Sequence, residues 1–114
     1  MITIKNTLLL SFLAVLTFSC SQTNTNKQTE FYVRGNCGMC EERIEKTVSA
    51  VPGVIKADWN VETKNLSVSY DTTKVNEMKI HQAIAHSGHE TKLVESPKEA
   101  HDALPECCKK GANM

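Results

Sequence analysis

Two cysteines separated by two residues, Cys37 and Cys40, lie where an alternating pattern changes to a helical one. Phe31 and Val33 alternate with larger polar neighbours as in a short strand, whereas the apolar residues after the cysteines recur at helical spacing. Cys40 is therefore expected in the first helical turn, where free amides and the helix dipole favour a thiolate. Two such thiolates suit a soft ion such as Cu(I), or Zn(II) with further ligands. The same pair could instead form a redox-active or a permanent disulfide.

The first 20 residues have the pattern of an export signal. Lys5 is the only basic residue before position 27, and an apolar run covers positions 8–16. This run is too short for a membrane span of about 20 residues, so residues 1–19 are interpreted as a signal peptide. Ser19 before Cys20 resembles the lipobox of bacterial lipoproteins, which implies a lipid on Cys20. The alternatives are an ordinary secretory signal and an uncleaved anchor.

The charge balance excludes two classes of partner. Lys5 leaves with the signal peptide, and the remaining 12 basic and 13 acidic residues nearly cancel. No nucleic-acid binding is expected, and attraction to anionic lipids is not the membrane anchor. An exported chain is expected in the bacterial cell envelope, facing the periplasm or the exterior. Disulfides are favoured there when metal is absent.

The rest of the chain predicts one small domain between two appendages. Residues 20–29 are polar and are interpreted as a tether, residues 30–95 as the domain, and residues 96–114 as a cysteine-containing tail. Within the domain, alternating and helical patterns follow each other in the order βαββαβ. This order predicts an α+β, ferredoxin-like sandwich with one four-stranded antiparallel sheet and two helices on one face.

The patterns also predict which side chains face the core. Residues 54–61 and 66–70 are the second and third strands, and residues 91–94 are a short last strand. The expected inward residues of the middle strands are Ile55, Ala57, Trp59, Val61, Leu66, Val68 and Tyr70. The second helix ends at Gly88, and its histidines, His81 and His86, lie away from the apolar stripe and are expected to be solvated.

Several short motifs together resemble the heavy-metal-associated domain of copper chaperones, mercury-binding periplasmic proteins and metal-transporting P-type ATPases. They are the cysteine loop, Val51-Pro52-Gly53-Val54, the strand end at 68–71, Ala83-Ile84 and Ser87-Gly88-His89. The resemblance implies metal binding by Cys37 and Cys40, without enzymatic activity. It also implies transfer to a metal-transporting ATPase or another metal-accepting protein. Gly35 departs from the family pattern, because a buried methionine usually supports the loop at this point.

Three further residues of the domain are candidate ligands or supports of the loop. In the βαββαβ order, the last strand begins at the end of the sheet where the first strand stops, so His89 is expected near Cys37. Its imidazole could bind the ion or a thiolate. Met39 between the two thiols is expected to cover the loop rather than to bind, and Asn36 is expected to shape the turn.

The tail carries a vicinal pair of cysteines, Cys107 and Cys108. A capping-box pattern, with Ser96 as the cap and Glu99 three residues later, predicts a short helix that stops before Pro105. The vicinal thiols are candidates for additional metal ligands or for disulfides with the loop cysteines, and the tail is long enough to return to the loop. The alternative is a flexible end with incidental thiols.

The sequence as a whole predicts an envelope lipoprotein that binds a soft ion and passes it on. Cu(I) is the first candidate, and Zn(II) and Hg(II) are compatible with the same thiolates. Two other functions stay open at this point. One is a thiol–disulfide redox protein, and the other is a passive metal scavenger that uses all four cysteines of the domain and tail.

Replacement of Cys20 tests the lipoprotein interpretation. Cys20→Ala removes the only atom that could carry the lipid, so the variant is expected in the soluble fraction or as an unprocessed precursor. Membrane fractionation and mass spectrometry of the N-terminal peptide measure both outcomes, with Cys107→Ala as the control. A Cys20→Ala protein that stays membrane-bound and normally processed would contradict the prediction.

Overall fold

The computed structural model describes residues 24–109, so the signal peptide, Cys20 and the last five residues lie outside the described residues. The elements are β1 (Asn26–Tyr32), α1 (Gly38–Ser49), β2 (Val54–Trp59), β3 (Asn65–Asp71), α2 (Glu77–His86), α3 (Lys98–Asp102) and α4 (Glu106–Lys109). None of the helices between residues 24 and 109 is long and apolar enough to cross a membrane. The α+β class and the order of the first five elements agree with the sequence prediction.

The three strands form one antiparallel sheet in the order β1, β3, β2. β1 pairs with β3 along its whole length, with Asn26 opposite Asp71 at one end and Tyr32 opposite Asn65 at the other. The first strand therefore begins five residues before Phe31, within the stretch that the sequence assigned to the tether. The predicted inward residues of β1 and β3 are buried: Phe31, Leu66, Val68 and Tyr70.

The predicted fourth strand is reduced, among the described residues, to a single bridge at the free edge of β1. Val33 pairs there with Thr91 in the antiparallel sense. The chain then turns back, because the Thr91 hydroxyl accepts hydrogen bonds from the amides of Leu93 (3.3 Å) and Val94 (3.1 Å). A threonine that satisfies its neighbours' amides in this way competes with strand pairing. The sheet of residues 24–109 therefore has three strands rather than four.

The register of β2 also differs from the predicted alternation. Val54 lies opposite Tyr70 and Lys56 opposite Ser69, so the pairing shifts at Ile55, which is the signature of a bulge. After the bulge Trp59 faces the core, but Ile55 is 57% exposed. Val61, beyond the end of the strand, is exposed as well. The prediction that these two residues share the inner face with Trp59 was wrong.

The two longer helices cover the sheet with an apolar stripe each. The fully buried members are Ile44 and Val48 of α1 and Ile80 and Ile84 of α2, which join the inward sheet residues in one core. Asn76 caps α2 by accepting a hydrogen bond from the amide of Lys79 at 2.8 Å. Gly88 follows the helix with φ +103°, a left-handed conformation that favours glycine.

His81 lies in this core and not in solvent, which corrects the sequence prediction. Its ring stacks on Phe31 with 3.8 Å between the centroids, and its Nδ1 lies 2.6 Å from the hydroxyl of Thr91. Burial lowers the pKa of His81, although the carboxylate of Glu77 opposes this effect. His81 is therefore a neutral core residue, whereas His86 is exposed as predicted.

The niche left open by Gly35 is filled by the indole of Trp59. A Cβ at Gly35 would lie 2.8 Å from Cζ2 of Trp59, which is closer than real contacts of this kind, and 3.2 Å from Cβ of Cys40, which is tighter than most. The indole is buried, and its Nε1 donates a hydrogen bond to the carbonyl of Val33 at 3.0 Å. Trp59 thus supports the base of the cysteine loop from below.

Adding one methyl group to the loop tests this packing. Gly35→Ala is expected to lower the free energy of unfolding of the reduced, metal-free protein by about 1–3 kcal/mol, the usual cost of overpacking a core. Gly38→Ala is the matched control, because a Cβ there meets nothing within 4 Å. Urea unfolding followed by tryptophan fluorescence measures both. Equal stabilities of the two variants would show that the contact with Trp59 is not tight.

Candidate metal centre

The loop between β1 and α1 presents its two cysteines at the N-terminal end of α1. Cys37 is the extended residue directly before the helix, and no side chain caps the helix there. Cys40 is in the first turn and is fully buried. The two Sγ atoms are 3.3 Å apart. The structure therefore places both sulfurs at a helix N-terminus, as the sequence predicted.

The tail returns to this loop and brings its own thiols to it. The Sγ of Cys107 lies 2.6 Å from the Sγ of Cys37. Cys108 is buried, and its Sγ, that of Cys37 and that of Cys40 all lie within 4.8 Å of one another. Cys107 is not a member of this compact group. All four cysteines are free thiols in the structure.

Contacts of α3 and α4 hold the tail in place. Leu104 is buried, and its Cγ would lie 2.9 Å from a Cβ at Gly88. The side chain of Asn36 in the cysteine loop donates a hydrogen bond to the carbonyl of Cys107 at 3.3 Å. Within the described residues, the tail as far as Lys109 is thus a docked part of the fold.

The start of α3 differs in detail from the predicted capping box. The helix begins at Lys98 with Pro97 as its N-cap residue, and no side chain caps it. Ser96 lies outside the helix because proline occupies the cap position itself. The helix does stop before Pro105 as predicted, and the second short helix, α4, carries both tail cysteines.

The local hydrogen bonds give the Cys37 thiol a lower pKa than the two tail thiols. Burial raises the pKa of Cys37, but hydrogen bonds from the Cys107 thiol and from the amides of Cys40 and Met39 outweigh it and lower the pKa to about 7. The pKa of Cys107 is raised because its proton is held by the sulfur of Cys37. Burial and the neighbouring Cys40 raise the pKa of Cys108. Cys37 therefore forms a thiolate more readily than either tail cysteine.

His89 and Met39, the other two sequence-predicted candidates, do not join the compact group of sulfurs. His89 is buried, and its Nδ1–H donates to the carbonyl of Arg34 at 2.9 Å, so the ring holds the backbone just before the loop. It shares no cluster of mutually close ligand atoms with the sulfurs. Met39 is 50% exposed, and its Sδ lies 3.9 Å from the Sγ of Cys107. Met39 thus contacts a tail thiol, whereas His89 contacts the backbone at Arg34.

Sequence reasoning missed the residues that dock the tail. Leu104 is the only leucine of the tail, and this was the one available signal that the segment buries a side chain. The partner surface at Gly88 gave no signal of its own, because a glycine after a helix is explained by the left-handed turn alone. The hydrogen bond from Asn36 to the tail could not be predicted either, since an asparagine in a turn normally bonds to its own loop.

Comparison with known proteins identifies the family of the domain. The heavy-metal-associated domain matches residues 31–90. The copper chaperone CopZ of Staphylococcus aureus (strain Newman) is 34% identical over 55 residues, which cover 48% of this chain and 81% of CopZ. The short helices α3 and α4 lie beyond the matched residues.

Two solved structures share the fold. The oxidised MerP of Ralstonia metallidurans CH34 is 29% identical with a TM-score of 0.57, covering 59% of this chain and 94% of MerP. The N-terminal domain of a potential copper-translocating P-type ATPase from Bacillus subtilis, in its Cu(I)-loaded state, is 26% identical with a TM-score of 0.56, covering 59% of this chain and 85% of that domain. With its two cysteines at the start of α1 and this match over residues 31–90, the chain belongs to the heavy-metal-associated domain family.

Proposed function

We propose that this protein binds a soft heavy-metal ion, with Cu(I) first, through the thiolates of Cys37 and Cys40 and carries it to a metal-accepting partner. The observation that carries the proposal is the pair of sulfurs 3.3 Å apart at the N-terminus of α1. Soft thiolates bind Cu(I) in preference to the hard ions of the cell. No reaction of a substrate is needed, so the protein acts as a carrier and not as an enzyme.

Transfer by ligand exchange follows from the low coordination number of such an ion. Two thiolates leave room for a third ligand from the acceptor, so the ion is transferred to the acceptor without being released into solution. A metal-transporting ATPase is the favoured acceptor, since copper-translocating ATPases contain domains of this fold that resemble the chain. Zn(II) and Hg(II) are further candidate ions, although Zn(II) prefers four ligands in a tetrahedron.

The bacterial cell envelope is the proposed place of action. The support is the apolar leader of positions 8–16 and the Ser19-Cys20 pair, which together suggest a lipid anchor on Cys20. A partner in the same membrane would then encounter the domain by diffusion within the plane of the membrane. The near balance of 12 basic and 13 acidic residues after the leader supports neither nucleic acid nor a charged lipid surface as the partner.

A thiol–disulfide function is the second candidate, and the closeness of the free thiols favours it. The Sγ of Cys37 lies within 3.3 Å of Cys40 and 2.6 Å of Cys107, so either sulfur could become its disulfide partner. The metal-carrier proposal has the stronger support because relatives with this fold include a copper chaperone and a Cu(I)-loaded domain. A redox titration beside the metal titration separates the two functions.

Serine variants of the loop test the carrier proposal directly. The reduced mature protein is expected to bind about one Cu(I). Cys37→Ser and Cys40→Ser are each expected to abolish tight binding, because a hydroxyl is a poor ligand for a soft ion. Anaerobic competition with a chromogenic Cu(I) chelator measures the affinity, and substitution of an exposed α2 residue, His86→Ala, is the control. Undiminished affinity in the double serine variant would place the site elsewhere.

The pH dependence of alkylation tests whether Cys37 forms a thiolate more readily than the tail cysteines do. With a pKa of about 7, Cys37 is mostly a thiolate above pH 7 and loses this form as the pH falls below it. Its reaction rate with iodoacetamide should therefore level off above about pH 7, whereas the rates of Cys107 and Cys108 should still rise at pH 9 because their pKa values are raised. Mass spectrometry of the labelled peptides of metal-free protein resolves the sites. A single common pH midpoint for the alkylation of Cys37, Cys107 and Cys108 would refute this order of pKa values.

A further inference from the structure

We propose that the tail supplies a third ligand to the metal centre, so that Cys37, Cys40 and Cys108 form a three-thiolate site for one soft ion. The inference rests on the proposed function, because it adds a ligand to the same centre. It goes beyond that function by changing the coordination number and the ease of release. The matched family segment ends at residue 90, so the two-cysteine loop alone does not imply this ligand.

The geometry of the three sulfurs suits a single ion. Their Sγ atoms all lie within 4.8 Å of one another. Three sulfurs in a plane around one ion, each about 2.3 Å from it, are separated by about 4 Å. The observed spread therefore requires side-chain adjustments of less than an ångström or so, not movement of the tail. Cys107, outside the compact group, is not needed for this arrangement.

The burial of the group separates its ligands into an inner pair and an outer member. Cys40 is fully buried and Cys108 is 5% exposed, whereas Cys37 is only partly buried. An ion that enters beside Cys37 would therefore meet two buried sulfurs and little water. Cys107 lies on the outside of this entrance, against Cys37 (2.6 Å) and the thioether of Met39 (3.9 Å). Its Sγ is also 4.0 Å from that of Cys108, but it does not belong to the group of sulfurs that includes the buried Cys40.

Contacts remote from the sulfurs keep Cys108 in position. At Gly88, a Cβ would approach the carbonyl oxygen of Ala100 to 2.6 Å and the Cγ of Leu104 to 2.9 Å, so only a glycine allows α3 to pack this closely. Leu104 itself is 4% exposed. α4 begins two residues after Leu104. Within it, the amide of Cys108 donates a hydrogen bond to the carbonyl of Pro105 at 2.9 Å. The third sulfur is thus held by packing that exists without an ion.

The third thiolate changes what the carrier does with its ion. When the ion binds, the proton of the Cys108 thiol leaves to solvent and the sulfur lone pair forms the third bond, so no oxidant or reductant is involved. In a two-thiolate carrier the acceptor's sulfur would take this position. Here the acceptor must first displace Cys108, so the domain holds the ion more tightly and releases it more slowly.

X-ray absorption spectroscopy of the Cu(I)-loaded, full mature chain counts the sulfurs around the ion. Three are expected in the natural protein and two in Cys108→Ser. Release to a competing chelator should be roughly 10²-fold faster in that variant, the low end of the gain from a tethered extra contact. Cys107→Ser, one residue away, is the matched control and should keep three sulfurs and slow release. Leu104→Ala should approach the two-sulfur spectrum although it removes no sulfur.

The outcomes separate this inference from the function on which it rests. Loss of binding in Cys37→Ser and Cys40→Ser, with three sulfurs and unchanged release in Cys108→Ser, would overturn the third ligand and leave the carrier function intact. Loss of a sulfur in Cys107→Ser alone would also overturn the assignment. Since a buried hydroxyl destabilises the fold, Cys108→Ala serves as a second variant. The unfolding midpoint of each metal-free protein shows whether the compared variants are folded.

Discussion

The contact between the indole of Trp59 and Gly35 is the constraint on which the metal centre depends. The indole fills the space beneath the loop and ties the carbonyl of Val33 by a hydrogen bond of 3.0 Å. The chain therefore leaves β1 at a fixed point and enters α1 with Cys37 at its start and Cys40 against the core. In this chain an aromatic ring from β2 performs the support that the family usually takes from a methionine within the loop itself.

This support fixes the cysteine loop on the side that faces the sheet and leaves it accessible on the side that faces solvent. Towards the sheet, Cys40 packs among core residues and the ring of His89 holds the backbone of Arg34. Towards solvent, Cys37 keeps an accessible sulfur whose negative charge is stabilised by donors of the first turn and of the tail. A metal site needs both properties, since a loose loop would lose affinity and a closed one would not exchange its ion.

The sequence predicted the parts of this fold that depend on local patterns. The alternation of β3, the apolar stripes of α1 and α2 and the place of the two loop cysteines all follow from spacing that any chain with these residues would share. The errors have causes that the hydropathy pattern does not report. The bulge at Ile55 turns this residue outwards while Trp59 still faces the core, and the hydroxyl of Thr91 turns the chain where a strand was expected. His81 is buried because α2 crosses Phe31, which its helical spacing alone does not reveal.

The return of the tail shows why the site itself was only half predictable. Its path depends on the fit of Leu104 at Gly88, a contact between residues 16 positions apart in sequence with no shared motif. Once that contact forms, only one short turn separates Leu104 from Cys108. The Sγ of Cys108 then lies beside those of Cys37 and Cys40. In the proposed three-thiolate site, binding strength and release would be set by the docking of Leu104, an apolar side chain far from the ion. A partner that competes for this docking surface could therefore lower the coordination number and promote transfer without touching a sulfur.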